Sequence, residues 1–203
     1  MMRGSSMEKY VITITRQFGS MGRPIAKNVA EKLGIPYYDR DIVEATAKQM
    51  NLPVSVISDA EESANTSFFR MKFPLGTGTT EFRNQIFNIQ KNMIYDIASK
   101  QTCIIVGRCS DYILKDVKNH VSIYIYSPYE ERLKNCIEKL GIKENKAADM
   151  IATVDNARRM YHKRYANYLP DDTDYKKILI DSSFLGIEGT ADLIVNMIRA
   201  KFY

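Results

Sequence analysis

GSMGRPIAK, Gly19 to Lys27, is the stretch on which the fold turns. It follows a short β-branched run, Tyr10 to Thr15 (YVITIT), and opens into a helical pattern from Pro24 to Leu33. Strand, glycine-containing turn and helix, in that order, put backbone N–H groups and a helix N-terminus where they can cradle phosphate. The stretch is an imperfect copy of the phosphate loop G-x-x-x-x-G-K-[ST]. With Gly22 as the second glycine, Gln17 holds the first glycine's place, Arg23 the lysine's and Pro24 the hydroxyl's. Only the second glycine matches. A turn whose glycines merely let a strand reverse into a helix has the same local signature, so the surrounding chain separates the two readings.

Working outward, strand and helix patterns alternate, as in an α/β domain. The strands are Tyr10 to Thr15, Ile35 to Asp39 (IPYYD), Thr102 to Val106 (TCIIV), Val121 to Tyr126 (VSIYIY) and Lys177 to Ile180 (KILI). Between them lie helical patterns at Pro24 to Leu33, Asp41 to Met50, Glu81 to Lys100, Tyr129 to Leu140 and Glu144 to Tyr168, with Thr190 to Lys201 closing the chain. Gly34 is placed to end the first helix and Asp41 to cap the second. Phe82, Ile86, Ile89, Met93 and Ile97 recur at helical spacing, which predicts that this face packs on a sheet. The compact apolar runs TCIIV and VSIYIY read as central parallel strands. Five strands separated by helices predict a doubly wound parallel sheet. Pro53 to Thr80 is irregular and carries Phe68, Phe69 and Phe73, which suits a mobile substrate flap or a homodimer contact.

Composition bounds the class. A chain of 203 residues, 45% apolar, buries roughly 70% of its unfolded surface, enough for one domain. No apolar run approaches the roughly 18 residues that span a bilayer. The start, MMRGSSMEKY, lacks a signal peptide's apolar segment, so a cytoplasmic, membrane-free protein with an untethered N-terminus over residues 1–9 is expected. Cys103, Cys109 and Cys136 are odd in number and lack C-x-x-C spacing, which argues against a disulfide framework or a zinc site. The net charge of +5 is scattered. Its densest group, Arg158, Arg159, Lys163 and Arg164, alternates with Tyr161, Tyr165 and Tyr168. Such a helix suits a nucleic-acid backbone, a solvated basic face, or a lid that clamps an anion. No nucleic-acid module accompanies it, so no nucleic-acid partner is expected.

Two further constellations carry chemistry. Gly107-Arg108 follows the strand TCIIV directly, and in open parallel sheets the ligand crevice lies beyond the carboxyl ends of the strands. Arg108 and the turn Gly19 to Gly22 are therefore expected to face one crevice, where a guanidinium fork suits phosphate oxygens. On the basic helix, Asp155 and Arg159 stand at i, i+4 and are expected to pair, leaving Arg158 to close over transferring phosphates.

Taken together, ITRQFGSMGRPIAKNVAEKLGIPYYDRDIV, IIVGRCSDYIL, the basic helix and ILIDSSFLGIE resemble the cytidylate kinase-like family, relatives of cytidylate kinases among the P-loop nucleoside monophosphate kinases. The similarity runs in order from Tyr10 to the end of the chain. It implies a P-loop NTPase fold with a five-stranded parallel sheet and a helical lid at about residues 141–170, with an acceptor-binding segment at about 40–80. It also implies ATP and Mg²⁺ as cofactors and a small-molecule nucleotide as partner. Residue by residue, Gly19, Ser20, Met21, Gly22, Arg23 and Pro24 fall in the phosphate loop, with Arg23 at the lysine position. Asp39 begins the monophosphate segment. Arg108 matches the arginine of the family's Gly-Arg-Asp element, with Cys109 in place of the aspartate and Asp111 as a substitute carboxylate. Arg132 matches a helix arginine that opens the lid, and Asp155 and Arg158 match the lid's Asp-Ser-x-Arg, whose earlier arginine falls at Ile151. Asp181 to Ser183 resembles the turn that borders the adenine.

The departures from the family pattern lie at the chemistry. Arg23 is larger and more directional than a lysine, and Pro24 removes the hydroxyl that usually holds Mg²⁺, which leaves Ser20 or water-mediated ligation. The expectation is phosphoryl transfer from ATP to CMP or dCMP, with Arg23, Arg108 and Arg158 as catalytic groups. The alternatives are a non-catalytic nucleotide-binding regulator and a P-loop kinase of another small molecule.

Overall fold

Runs that are apolar on both faces belong in the middle of a parallel sheet, where helices cover both sides. The computed structural model, which describes residues 8–62 and 80–203, puts them there. β1 (Val11–Arg16) lies between β3 (Cys103–Val106) and β4 (His120–Tyr126), with β2 (Tyr37–Tyr38) and β5 (Ile178–Asp181) at the edges. The order is β2-β3-β1-β4-β5 and every pairing is parallel. The expected five strands are all present, their ends differing from expectation by a residue or two.

Helices cover both faces. Alternate residues Ile12 and Ile14 of β1 pack with Ile25 and Val29 of α1 (Gly22–Leu33) and with Ile194 and Ile198 of α8 (Ser182–Phe202). On the opposite face, Val11 and Ile105 pack with Ile42 of α2 (Arg40–Met50) and with Phe87 and Ile94 of α4 (Thr80–Lys100). A short helix, α3 (Val54–Glu62), precedes α4, and α5 (Ser110–Ile113), α6 (Tyr129–Glu138) and α7 (Glu144–Ala166) complete the order. Gly34 ends α1 in the left-handed conformation, its N–H shared between the carbonyls of Ala30 and Glu31, as the sequence predicts.

Three expectations are corrected. The buried stripe of α4 is Ile86, Phe87, Gln90, Ile94 and Ala98, because the helix is rotated to set Gln90 and a small alanine against its neighbours. Asp41 sits inside the first turn of α2, and Asp39 occupies the N-cap position without a side-chain cap. The last helix begins at Ser182, where Asp181 Oδ1 accepts the Ser183 N–H at 2.8 Å, and breaks at Gly186 (φ 66, ψ −171). Phe68, Phe69 and Phe73 lie outside the described residues. Among those described, no helix is long and apolar enough to cross a membrane.

Candidate active site

β1 and β3 pair with Ile14 opposite Val106, so Arg16 and Gly107-Arg108 leave the sheet together at one edge. The Gly107 N–H donates to Ile14 O at 3.0 Å and fixes that exit. Helix α7 crosses above. Arg16, Arg23, Arg108 and Arg158 thereby wall one cleft of about 90 Å³, with Thr15 and His162 deeper in it. The three arginines marked by the sequence do converge.

Arg16 is the fourth, and sequence reasoning missed it. Its side chain runs between two glycines: a Cβ on Gly22 would lie 2.7 Å from Arg16 Cβ, and one on Gly107 would lie 2.5 Å from Arg16 Nη1. The two bare positions are the signal that could have revealed it. Burial first, then the charge of Arg158, depress the Arg16 guanidinium to about 9 against the raising pull of Asp39, and Arg108 and Arg23 push the same way as Arg158. An arginine keeps its proton at neutral pH, so the depression reports the cost of burying this charge, with a smaller share from the neighbouring arginines.

Asp39 is buried beside the cluster. Its Oδ2 pairs with Arg23 Nε and accepts the Tyr37 hydroxyl at 3.3 Å. Its Oδ1 stands 3.8 Å from Arg16 Nη2 and, although buried, takes no hydrogen bond among the described residues.

The loop itself is held from below. Ser20 is fully buried, its one hydroxyl proton shared between Gln17 O (2.9 Å) and Ile125 O (3.2 Å), and this burial closes the hydroxyl off from a metal in the open cleft. Met21 adopts the left-handed conformation at φ 57, a strained choice for a side-chain-bearing residue. Beyond it α1 begins, and the N–H groups of Met21, Gly22 and Arg23 have no protein acceptor among the described residues. These amides and the helix dipole favour an anion. They border a second cavity of about 150 Å³, lined by Phe18, Gly19, Met21, Pro24 and Leu140, and Arg16, Arg23 and Arg158 line both it and the cleft.

Arg132 and Asp155 brace the loop. Arg132 Nη1 donates to Phe18 O at 3.2 Å and to Asp155 Oδ2 at 2.5 Å, and the Phe18 N–H donates to Asp155 Oδ1 at 2.7 Å. A Cβ on Gly19 would meet Arg132 O at 2.7 Å, and Asn135 Nδ2 donates to Gly19 O at 3.0 Å. The expected pair of Asp155 with Arg159 is not formed. Asp155 is taken by Arg132, which reaches it from α6, and Arg159 pairs with Asp171 at 2.8 Å. Arg158 Nη1 donates to Arg16 O at 3.2 Å, and its guanidinium lies 5.8 Å over the Phe18 ring. Ile151, where the resemblance set a further lid arginine, is buried with Cys136 and Ala147.

Gly107, Arg108 and Cys109 are consecutive left-handed residues, at φ 77, 58 and 51. Two of the three bear side chains that disfavour this region, so the turn that aims Arg108 is strained and must be held. Asp111, two residues on, anchors the start of the following helix to its neighbours and is not a substitute carboxylate facing the cleft. It is buried, with His162 Nε2 at 3.1 and 3.0 Å from its two oxygens, the Tyr168 hydroxyl donating at 3.1 Å and Lys176 Nζ closer still. Burial by itself would raise its pKa, but the His162 hydrogen bond and the Lys176 charge hold it well below the ordinary carboxylate range.

Phosphate suits these residues and Mg²⁺ does not. Pro24 has no hydroxyl, that of Ser20 is fully buried, and the Asp39 carboxylate faces Arg16 and Arg23.

The fold has solved counterparts. An uncharacterized protein from Eubacterium ventriosum ATCC 27560 superimposes with a TM-score of 0.72 at 26% identity, over 94% of this chain and 99% of that one. Shikimate kinase from Bacteroides thetaiotaomicron gives 0.55 at 11% identity over 94% and 98% of the two chains. Shikimate kinase from Acinetobacter baumannii, solved with shikimate, gives 0.51 at 14% identity over 96% of each. At those identities the kinases share the fold alone. No curated protein matches the chain at a significant level. The model of the cytidylate kinase-like family matches residues 11–184. With its five parallel strands and its glycine turn after β1, this P-loop-kinase-fold chain belongs to the cytidylate kinase-like family.

Proposed function

We propose that the protein transfers a phosphoryl group from ATP to a nucleoside monophosphate, CMP or dCMP by family, giving ADP and the diphosphate. The observation that carries this reading is the convergence of Arg16, Arg23, Arg108 and Arg158 on one cleft beside the loop. Phosphoryl transfer asks little covalent chemistry of a protein. It asks for two phosphates held in line and for neutralisation of the charge on the transferred group. In this reading Arg23 and the loop amides hold the donor's terminal phosphates, Arg108 holds the acceptor phosphate, and Arg158 closes from α7. Asp39 releases Arg23 when the donor arrives.

The test is ADP release from ATP and Mg²⁺ across a panel of nucleoside monophosphates and small alcohols. Turnover with CMP supports the reading. Arg108→Ala is expected to raise KM for the monophosphate about 10-fold or more, the loss of a charge-assisted bond, with KM for ATP little changed. Equal weakening of both ligands would move Arg108 out of the acceptor site.

A second reading, a nucleotide-binding regulator without efficient transfer, is favoured by one observation: neither Pro24 nor Ser20 supplies the loop hydroxyl that usually holds the metal. Saturable ATP binding without turnover on any acceptor selects it.

A further inference from the structure

A phosphate loop of the common kind brings positive charge to the terminal phosphates from a lysine and from a Mg²⁺ ion held by the loop's hydroxyl. Here the second source has no holder. What the chain has in addition is Arg16, at the end of β1, in the space left by Gly22 and Gly107. Among the described residues its guanidinium donates no hydrogen bond, and its single carboxylate contact is the long one to Asp39 Oδ1 at 3.8 Å. A guanidinium whose donors are unused among the described residues therefore lines both the cleft and the cavity beside the phosphate loop. It stands in the same cleft as Arg23, Arg108 and Arg158.

We infer that the site takes a polyphosphate as the metal-free anion, with Arg16 supplying at the terminal phosphates the charge that a loop-held Mg²⁺ supplies elsewhere. The inference rests on the nucleotide reading above for the identity of the polyphosphate, while the charge argument holds for any chain of phosphates. Mg²⁺ on the ligand neutralises the oxygens that the arginines would bind, so the metal competes with the cleft. Arg16 is then a phosphate-contacting residue, and Gly22 and Gly107 are bare to make way for it.

The experiment is calorimetric titration of the full chain with ATP and with inorganic tripolyphosphate, each in EDTA and in excess Mg²⁺. Both probes are expected to bind in EDTA at least as tightly as in Mg²⁺. Arg16→Met should weaken binding in EDTA about 10-fold or more, and Arg16→Lys, which keeps the charge and loses the fork, by less. Thermal unfolding of the unliganded variants checks that each is folded, and should Arg16→Met fail to fold, a weakened Arg16→Lys carries the test. Binding that needs Mg²⁺, or binding in EDTA that neither variant alters, overturns the inference. Tripolyphosphate bound in EDTA with ATP rejected keeps the inference and removes the nucleotide reading. ATP bound solely in Mg²⁺ does the reverse.

Discussion

Asp39 and Asp111 are both buried carboxylates behind the carboxyl ends of the strands, each beside a turn that aims an arginine, and they are partnered in opposite ways. Asp111 receives His162, Tyr168 and Lys176, and Lys176 in turn donates to Thr15 Oγ1 at 3.3 Å. Asp39 leaves one oxygen without a hydrogen bond among the described residues and faces two arginines, of which Arg23 is about half exposed. A buried carboxylate with both oxygens hydrogen-bonded is a fixed part of the scaffold. A buried carboxylate with one oxygen unanswered is a less finished contact: it holds Arg16 and Arg23 loosely and competes for them with any anion that enters the cleft.

Four measurements can break or sharpen this contrast. The largest effect belongs to Asp111→Ala. It strands the ammonium of Lys176, whose side chain is wholly buried, and should cost about 3–5 kcal/mol of stability in urea unfolding. A loss within 1 kcal/mol would show that Asp111 holds nothing.

Next comes Arg23→Ala, expected to lower kcat roughly 100-fold, about 2.7 kcal/mol, without loss of stability. Silence of Arg23→Ala in an enzyme that turns over would remove Arg23 from the phosphate site.

The third is a pH series. The Asp111 carboxyl is held below its ordinary value of 3.8 in the folded protein, so the unfolded chain binds its proton first as the medium is acidified. Its contribution to stability is whole above that value and is lost as pH falls below it. Asp111→Asn should flatten the acid limb of stability against pH, and an unchanged limb would contradict the assignment.

The smallest effect is that of Asp39→Asn. Its pair with a half-exposed arginine contributes under about 1 kcal/mol, so stability should barely move. Freeing Arg16 and Arg23 should tighten tripolyphosphate binding up to about 5-fold. Weaker tripolyphosphate binding would place Asp39 on the ligand's side of the balance.

Much of the architecture was legible in the sequence because its cause is local. CIIV and HVSIYIY can be little other than central strands, and Gly34 marks the end of α1 by its own conformation. That Arg108 shares a crevice with the Gly19 to Gly22 turn followed from a rule about the carboxyl ends of parallel strands, whereas Arg158 was reached through its place on the basic helix. What was hidden depends on geometry between elements. Asp155 prefers Arg132 on α6 to Arg159 one turn away, a choice that sequence spacing does not contain. Arg16 reads as the polar end of a strand until Gly22 and Gly107 are seen on either side of it. The start of α8 was masked by Gly186 and Gly189, which interrupt the helical period.

The Asp155 bridge has a kinetic consequence. The helix that carries Arg158 is fastened to the loop at the Phe18 N–H through Asp155 and at Arg16 O through Arg158 itself. Swinging that helix aside means undoing a charge-assisted contact and leaving Phe18 N–H without its acceptor. If ligand entry requires this helix to move, the observed rate of association levels off at high ligand concentration at the frequency with which this latch opens.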